Sequence, residues 1–477
     1  MTLYVIKDGT DIMAACTRTQ DDRKRVKLTA PVNLEGPEEI NSTKPSRGLP
    51  LEMVEIIIDC LHNNRETLAS IALVCRAWVS RSRYHMFKAL QVPKGQKLSK
   101  ICDILTDKQC TFLSSVQELH IEASQDACRS KPSPEYMDLL GPHLPKLKSV
   151  KKLHVSALYL HMSWQAVVDT TSFTSRITEL SLCSVHFASF KEWMEVLKSF
   201  QSLTTLRYGD SHGSNWSMSV FPSDIDWKLS PALRLLEIET YGMCPIQRNW
   251  SQNMWLWLRQ SQVRLATLVL SSLVCIDTAI DPGEALTEFS QYLRFLGPSL
   301  KKLKMDFKDK HSISQFFNHV AMTSNTGIQE WDLSEYCLYY DEDYTMSLAY
   351  HFLTLPKLLS LLPPQVSLSR ISFDLIVAPV DYESVEFFNC VDQEDGDTAW
   401  KLVDALLTSP SFPALREVVA NAVMDGEHGL DSLHSLGIAK FLSQRLPRCQ
   451  ERGLLRCNHK QKSDRSCIRI QNLIRMS

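Results

Sequence analysis

The first stretch whose residue types could do chemistry is Gly209–Gly213, with the sequence GDSHG. Its G-x-S-x-G spacing is that of a hydrolase nucleophile elbow, which needs a strand before the serine and a helix after it. A strand is predicted to end near Tyr208, but the polar residues 214–217 do not open an apolar-periodic helix, and no oxyanion-hole motif lies upstream. We therefore interpret this stretch as a polar loop with Ser211 exposed, and we expect a protein without catalytic residues.

An acidic run at 392–397 (DQEDGD) has the residue types of a calcium loop. An EF-hand loop needs a glycine at its sixth position and a glutamate at its twelfth. Counted from Asp392, Gly396 is fifth, and Asp404, the first acidic residue after the run, is thirteenth. We therefore predict a solvated acidic loop.

Metal-ligand residue types also occur near the C-terminus, at Cys449, Cys457, His459 and Cys467. Their spacing lacks the short cysteine pair that is typical of a zinc site, and we predict no metal. Residues 440–477 contain ten Lys/Arg and two Asp/Glu. We predict that 431–477 is a solvated basic tail, with a contact to an acidic partner or nucleic acid as the alternative. The sequence contains no nucleotide-binding or kinase motif, so no cofactor is expected.

Composition restricts the class of protein further. The 477 residues carry a formal charge of -2 and are 44% hydrophobic, which favours a folded chain and disfavours nucleic acid or a membrane as the main partner. The 14 cysteines form no C-x-x-C pair, and no uncharged apolar stretch reaches the ~18 residues of a membrane span. Lys7 and Asp8 interrupt any apolar signal-peptide region. We expect a cytoplasmic or nuclear protein.

The elements that would position functional residues begin after a polar segment, residues 1–44, that we predict to be a disordered arm. Residues 45–92 are predicted to form a helical module, in which Val54, Ile57, Ile58 and Leu61 make an apolar stripe. Met53 and Ile56 lie off that stripe, so the first helix is apolar on more than one face. A module this small cannot bury both faces alone, which indicates that one face meets a partner.

Residues 49–90 resemble the F-box family. The resemblance is carried by LPLEM at 49–53 and by LVCRAW at 73–78, followed by SRYHMF at 82–87, and it is similar to the large F-box sets of mushroom-forming fungi. It implies a three-helix module that binds the Skp adaptor of Skp–cullin–F-box ubiquitin ligases. The residues that the resemblance assigns to this contact are Leu49, Pro50, Met53, Ile57, Leu61, Leu73, Val74, Cys75 and Trp78. The alternative is that they form the ordinary core of a helical cap.

After residue 93 an apolar-x-x-apolar-x-apolar motif recurs ten times at spacings of 26 to 47 residues. Its central residues are Leu119, Leu153, Leu180, Leu206, Leu236, Leu268, Leu303, Trp331, Ile371 and Val418. Helical periodicity lies between several copies, so we predict an α/β fold in which parallel strands carry helices on the convex side. Residues 93–430 resemble, more loosely, the leucine-rich repeats of F-box proteins, which implies an irregular solenoid.

In such repeats the leucines point inward, and the residues between them line the concave sheet face. Ten acidic and five basic residues fall at these positions, which disfavours a nucleic-acid groove and favours a target protein segment carrying basic residues. The predicted target-binding residues are Lys302, Lys304, Asp306, Glu330 and Asp332.

The sequence thus predicts the substrate-recognition subunit of a Skp–cullin–F-box type ubiquitin ligase. Its F-box would dock the Skp-type adaptor, and its repeats would bind a target protein. The alternative is a leucine-rich-repeat scaffold without a role in a ligase.

Overall fold

The computed structural model describes residues 49–92, 97–107, 110–122, 139–156, 170–183, 189–210, 228–240, 248–271, 283–307, 310–338, 354–364, 366–377, 394–424 and 442–461, and positions 167, 185, 187 and 440. The predicted N-terminal arm lies outside these residues, as do Ser211 and Cys467.

The described chain begins with three helices: α1 (Leu51–Cys60), α2 (Arg65–Ile71) and α3 (Arg76–Phe87). We call residues 49–87 the helical module. Pro50 precedes α1, and its carbonyl accepts a hydrogen bond from the Val54 amide at 3.2 Å. The side chain of Asn64 caps α2 by accepting from the Thr67 amide at 3.0 Å. The start of α2 therefore has a side-chain cap, whereas α1 begins after Pro50 without one.

Twelve strands of the described chain form one sheet. They are β1 (Ala89–Val92), β2 (Glu118–Glu122), β3 (Lys152–Ser156), β4 (Glu179–Cys183), β5 (Thr205–Asp210), β6 (Leu235–Thr240), β7 (Thr267–Ser271), β8 (Lys302–Asp306), β9 (Glu330–Leu338), β10 (Arg370–Val377), β11 (Glu417–Met424) and β12 (Leu455–Gln461). Each strand pairs in parallel with the next strand in sequence. Because each repeat contacts its sequence neighbours, this is a leucine-rich-repeat-like solenoid, and the predicted α/β fold class is confirmed.

The ten predicted central positions form one continuous ladder in this sheet. Each is the Cα partner of the next, from Leu119 opposite Leu153 to Ile371 opposite Val418. All ten side chains are at most 1% exposed. The leucines therefore point into the core, and the strand register agrees with the sequence motif.

Helices cover the inward face of the sheet: α4 (Lys97–Thr106), α5 (Phe190–Ser199), α6 (Arg248–Gln260), α7 (Gly283–Leu296), α8 (Lys310–His319), α9 (Glu394–Leu407) and α10 (Pro447–Glu451). Their apolar side chains join the ladder leucines in one buried cluster. Within it, the rings of Trp193 and Trp257 meet edge to face with centroids 5.2 Å apart. Across the described ranges, no helix combines the length and apolarity that a bilayer crossing requires.

The sheet extends beyond the predicted repeat boundaries at both ends. β1 lies within the range predicted for the helical module, and β12 lies within 431–477, the range predicted as a solvated tail. The C-terminal extension is anchored by the buried carboxylate of Asp404, which accepts from the backbone amides of Arg448 and Cys449 at 3.0 and 2.9 Å. The predicted tail is therefore wrong for residues 447–461.

The predicted acidic loop is also partly wrong, because α9 begins at Glu394. Residues 394–397 form the first turn of this helix. Asp392 lies outside the described residues.

Candidate functional site: an exposed apolar surface and a charged sheet face

The helical module exposes a concentration of large apolar side chains. Nine large hydrophobic residues of the described chain are exposed, and seven of them belong to this module. They are Leu49, Leu51, Met53, Ile56, Ile57, Leu73 and Val74, and we call them the apolar surface. Leu49, Leu73 and Val74 are each more than 60% exposed. A folded domain rarely leaves such a set in water unless the set contacts a partner.

Seven of the nine predicted adaptor-binding residues are exposed: Leu49, Pro50, Met53, Ile57, Leu73, Val74 and Cys75. The other two, Leu61 and Trp78, are half-buried and pack on the small core formed by Val54, Ile58 and Leu68. Leu61 and Trp78 therefore support the module from inside. The F-box resemblance did not assign Leu51 and Ile56 to the adaptor contact. Ile56 could have been found from the sequence, because it lies off the predicted apolar stripe and so makes α1 apolar on a second face.

The helical module joins the sheet without a linker, since α3 ends at Phe87 and β1 begins at Ala89. The Phe87 ring stacks on Phe112 with centroids 4.6 Å apart. The Lys88 carbonyl accepts from the Gln117 amide at 2.8 Å, which continues the sheet's hydrogen bonding into the end of α3. These contacts attach the module to the first repeats.

The charged sheet face consists of the strand side chains that point away from the core cluster. Its charges pair as an alternating ladder that begins at Lys88, directly before β1, and continues along β2–β6. The order is Lys88, Glu118, Lys152, Glu179, Arg207 and Glu237, with N–O distances of 3.9, 4.0, 3.1, 3.8 and 2.9 Å. A second set joins Arg370, Glu417 and Arg456. Five of the acidic residues counted in the sequence thus already have a basic partner, once Glu330 is included.

The predicted target-binding residues are only partly brought together. Lys302 and Glu330 form an ion pair at 2.7 Å across β8 and β9, and Lys304 and Asp332 are half-buried opposite each other in the same register. Asp306 is 1% exposed, so its prediction as a surface contact is wrong.

Two histidines lie side by side on the charged sheet face. The rings of His120 on β2 and His154 on β3 stack with centroids 4.4 Å apart and an interplanar angle of 15°. Burial, then the neighbouring His120, lowers the pKa of His154 to about 4. His154 is therefore neutral in the folded protein at neutral pH.

This pair predicts a pH dependence of stability. Between pH 6.5 and 4 the unfolded chain binds a proton at His154 that the folded chain does not, so the free energy of unfolding should fall as the pH falls. After allowance for partial exposure we expect a loss of roughly 1–2 kcal/mol. Denaturant unfolding at pH 6.5 and 4.5 measures it. The loss should shrink in His154→Gln and persist in His319→Gln, and an equal loss in all three proteins would contradict the assignment.

The residues singled out for metal chemistry do not form a site in the described chain. Cys449 is buried in α10, where burial, then the hydrogen bond to Asp404, raises its thiol pKa to about 12. Burial also raises the pKa of Cys457 on β12. Metal binding needs the thiolate, which both environments disfavour. No cluster of three or more His, Cys, Asp or Glu side chains within the described ranges is placed to hold a metal ion, and the side chain of His459 lies outside them.

Comparison with known proteins adds only remote similarities. No family model matches the chain, and no curated protein is significantly similar to it. Among solved structures, the chain is similar to the leucine-rich repeat-containing protein LegL7 from Legionella pneumophila, with a TM-score of 0.41 and 13% identity over 76% of this chain and 98% of that one. It is also similar to a Rad7 and Elc1 complex in yeast, with a TM-score of 0.35 and 13% identity over 80% of this chain and 91% of that one. These scores support no inference about activity or partners.

Proposed function

We propose that this chain is the substrate-recognition subunit of a Skp–cullin–F-box type ubiquitin ligase. The helical module docks a Skp-type adaptor, the repeats bind a target protein, and the chain has no catalytic residues of its own. The observation that carries the proposal is the apolar surface, seven large hydrophobic side chains exposed on one small module.

The position of the apolar surface within the sequence supports the adaptor as its partner. Five of its seven residues lie in the two segments that resemble the F-box, LPLEM at 49–53 and LVCRAW at 73–78, and the other two, Ile56 and Ile57, lie on α1 between them. The module's own buried core contains only Val54, Ile58 and Leu68. Burying the exposed residues against a partner would stabilise the complex by about 25 cal/mol for each Å² of apolar area removed from water.

The first test is a binding measurement with a recombinant Skp-type adaptor. The full chain should bind it, and Leu49→Ala combined with Pro50→Ala should weaken binding by more than about tenfold, because truncating apolar anchors at an interface typically costs about 2 kcal/mol or more. Isothermal titration calorimetry gives the affinity, and far-ultraviolet circular dichroism checks that the repeats remain folded.

The alternative is a leucine-rich-repeat scaffold in which the three helices only cap the sheet. The attachment of α3 to β1 and the stacking of Phe87 on Phe112 are compatible with a cap. A scaffold of this kind would not bind the adaptor, or would bind it equally well after the double substitution, and either result rejects the proposed function.

A further inference from the structure

The apolar surface is assembled from two separate pieces of the helical module. Leu51, Met53, Ile56 and Ile57 lie on α1, whereas Leu73 and Val74 lie in the turn between α2 and α3. Both pieces can contact one partner at the same time only if α1 keeps its orientation relative to α3. Apolar packing alone holds α1 weakly, because this helix buries only Val54 and Ile58.

A polar contact between α1 and α3 supplies the missing constraint. Both carboxylate oxygens of Asp59 accept from the Arg81 guanidinium, Oδ1 from Nε and Oδ2 from Nη2, at 2.6 Å each. Oδ1 is also 2.8 Å from His85 Nε2, which donates because a carboxylate can only accept. The hydrogen bonds from Arg81, then from His85, hold the pKa of Asp59 well below its usual range. We call these three residues the Asp59 clamp.

The geometry of the clamp restricts the rotation of α1 relative to α3 as well as the distance between these two helices. A bidentate pair fixes the plane of the guanidinium relative to the carboxylate. Arg81 and His85 are four residues apart, so they lie on one face of α3 and hold Asp59 from two points along that helix. Asp59 is the last residue but one of α1, at the opposite end from Leu49, Leu51 and Met53.

The clamp also connects α1 to the repeats. The Arg81 guanidinium lies 5.4 Å from the ring centroid of Tyr84, and the Tyr84 ring meets His85 edge to face at 5.1 Å. The Tyr84 hydroxyl accepts from Gln117 Nε2 at 3.0 Å, one residue before β2. Contacts therefore run without a break from α1, through one turn of α3, to the sheet.

We propose that Asp59 is a positioning residue for adaptor docking: the Asp59 clamp holds α1 against α3 so that the two pieces of the apolar surface face the adaptor together. This inference rests on the proposed function and names the residue that organises its site. The Asp59 and Arg81 side chains are 40% and 37% exposed, so their pairing contributes little to folding stability. Its loss should act on binding, because the adaptor must then order α1 on association.

The test compares the full-length protein with Asp59→Asn, using a recombinant Skp-type adaptor. We expect Asp59→Asn to bind roughly fivefold more weakly or worse, because ordering a loosened helix reduces affinity. Hydrogen–deuterium exchange should accelerate in α1 and stay unchanged in β2–β8. Thermal unfolding should shift little. Asp59→Glu, which keeps the carboxylate, should recover at least part of the affinity. The matched control is Glu66→Gln on α2, an exposed carboxylate, which should change neither affinity nor exchange.

The outcomes separate this inference from the proposed function. If the wild type does not bind the adaptor, the proposed function fails. If the wild type binds, and Asp59→Asn binds within twofold with unchanged exchange in α1, the positioning role is wrong while adaptor docking stands. If circular dichroism shows that Asp59→Asn unfolds the module, Arg81→Lys replaces it, because that variant keeps the charge and loses the bidentate geometry. An affinity loss fully explained by the unfolded fraction also overturns the positioning role.

Discussion

Leu303→Asp is expected to unfold the repeats around β8. Leu303 is fully buried and lies between Leu268 and Trp331 in the ladder. The substitution removes a core side chain, which alone costs about 2–5 kcal/mol, and places a carboxylate in the buried apolar cluster. The combined loss should exceed about 5 kcal/mol and destabilise the neighbouring repeats, because each repeat depends on its neighbours. Circular dichroism with urea unfolding measures the loss.

Thr267→Asp is the matched control for this prediction. It introduces the same carboxylate one strand away, at a half-buried outward position whose Cα partner is the basic residue Lys302. We expect a change within about 0.5 kcal/mol. If Thr267→Asp unfolds the protein and Leu303→Asp does not, the strand register is shifted by one residue, because a one-residue shift exchanges the two faces of a strand.

The ten ladder positions could be predicted because each of these strands repeats the same apolar-x-x-apolar-x-apolar motif. Ten copies placed the central residues of β2–β11 correctly, even where Trp331 or Val418 replaces leucine. The motif did not predict the two terminal strands, β1 and β12, for two different reasons. β1 is only four residues long, and the sequence of β12, LRCNHKQ, is too polar for the motif. Its place in the sheet depends on tertiary contacts such as the one between Asp404 and the start of α10.

The two candidate sites differ in how far the sequence predicts them. The apolar surface follows from a local motif and from a helix that is apolar on more than one face. The ion-pair ladder does not, because its partners are far apart in sequence: Glu118 and Lys152 are separated by 34 residues, and the pairing exists only once both strands are in register. Counting acidic and basic residues therefore gives the net charge of this face but not which of its charges are paired.

Leu73→Asp is expected to abolish adaptor binding without unfolding the protein. Leu73 is 63% exposed, so in the free chain the carboxylate would be solvated and the module should stay folded. In the complex, the same carboxylate would be removed from water and buried against apolar groups. The substitution adds no basic residue that could pair with it. We expect affinity to fall by more than about a hundredfold, or about 2.7 kcal/mol, as for a hot-spot residue at the centre of an interface. Calorimetry with a recombinant Skp-type adaptor measures the change.

Leu402→Asp provides the comparison that makes this result specific to the apolar surface. Leu402 on α9 is 50% exposed and lies far along the solenoid from the helical module. The substitution adds the same charge and removes the same side chain, so any general effect on solubility or stability should appear in both variants. Adaptor affinity should fall in Leu73→Asp alone. Equal affinities in the two variants would mean that the adaptor, if it binds, uses another surface. Leu73, the exposed leucine in the α2–α3 turn, would then need a different partner. Its exposure is a feature of the free module and does not depend on which protein covers it.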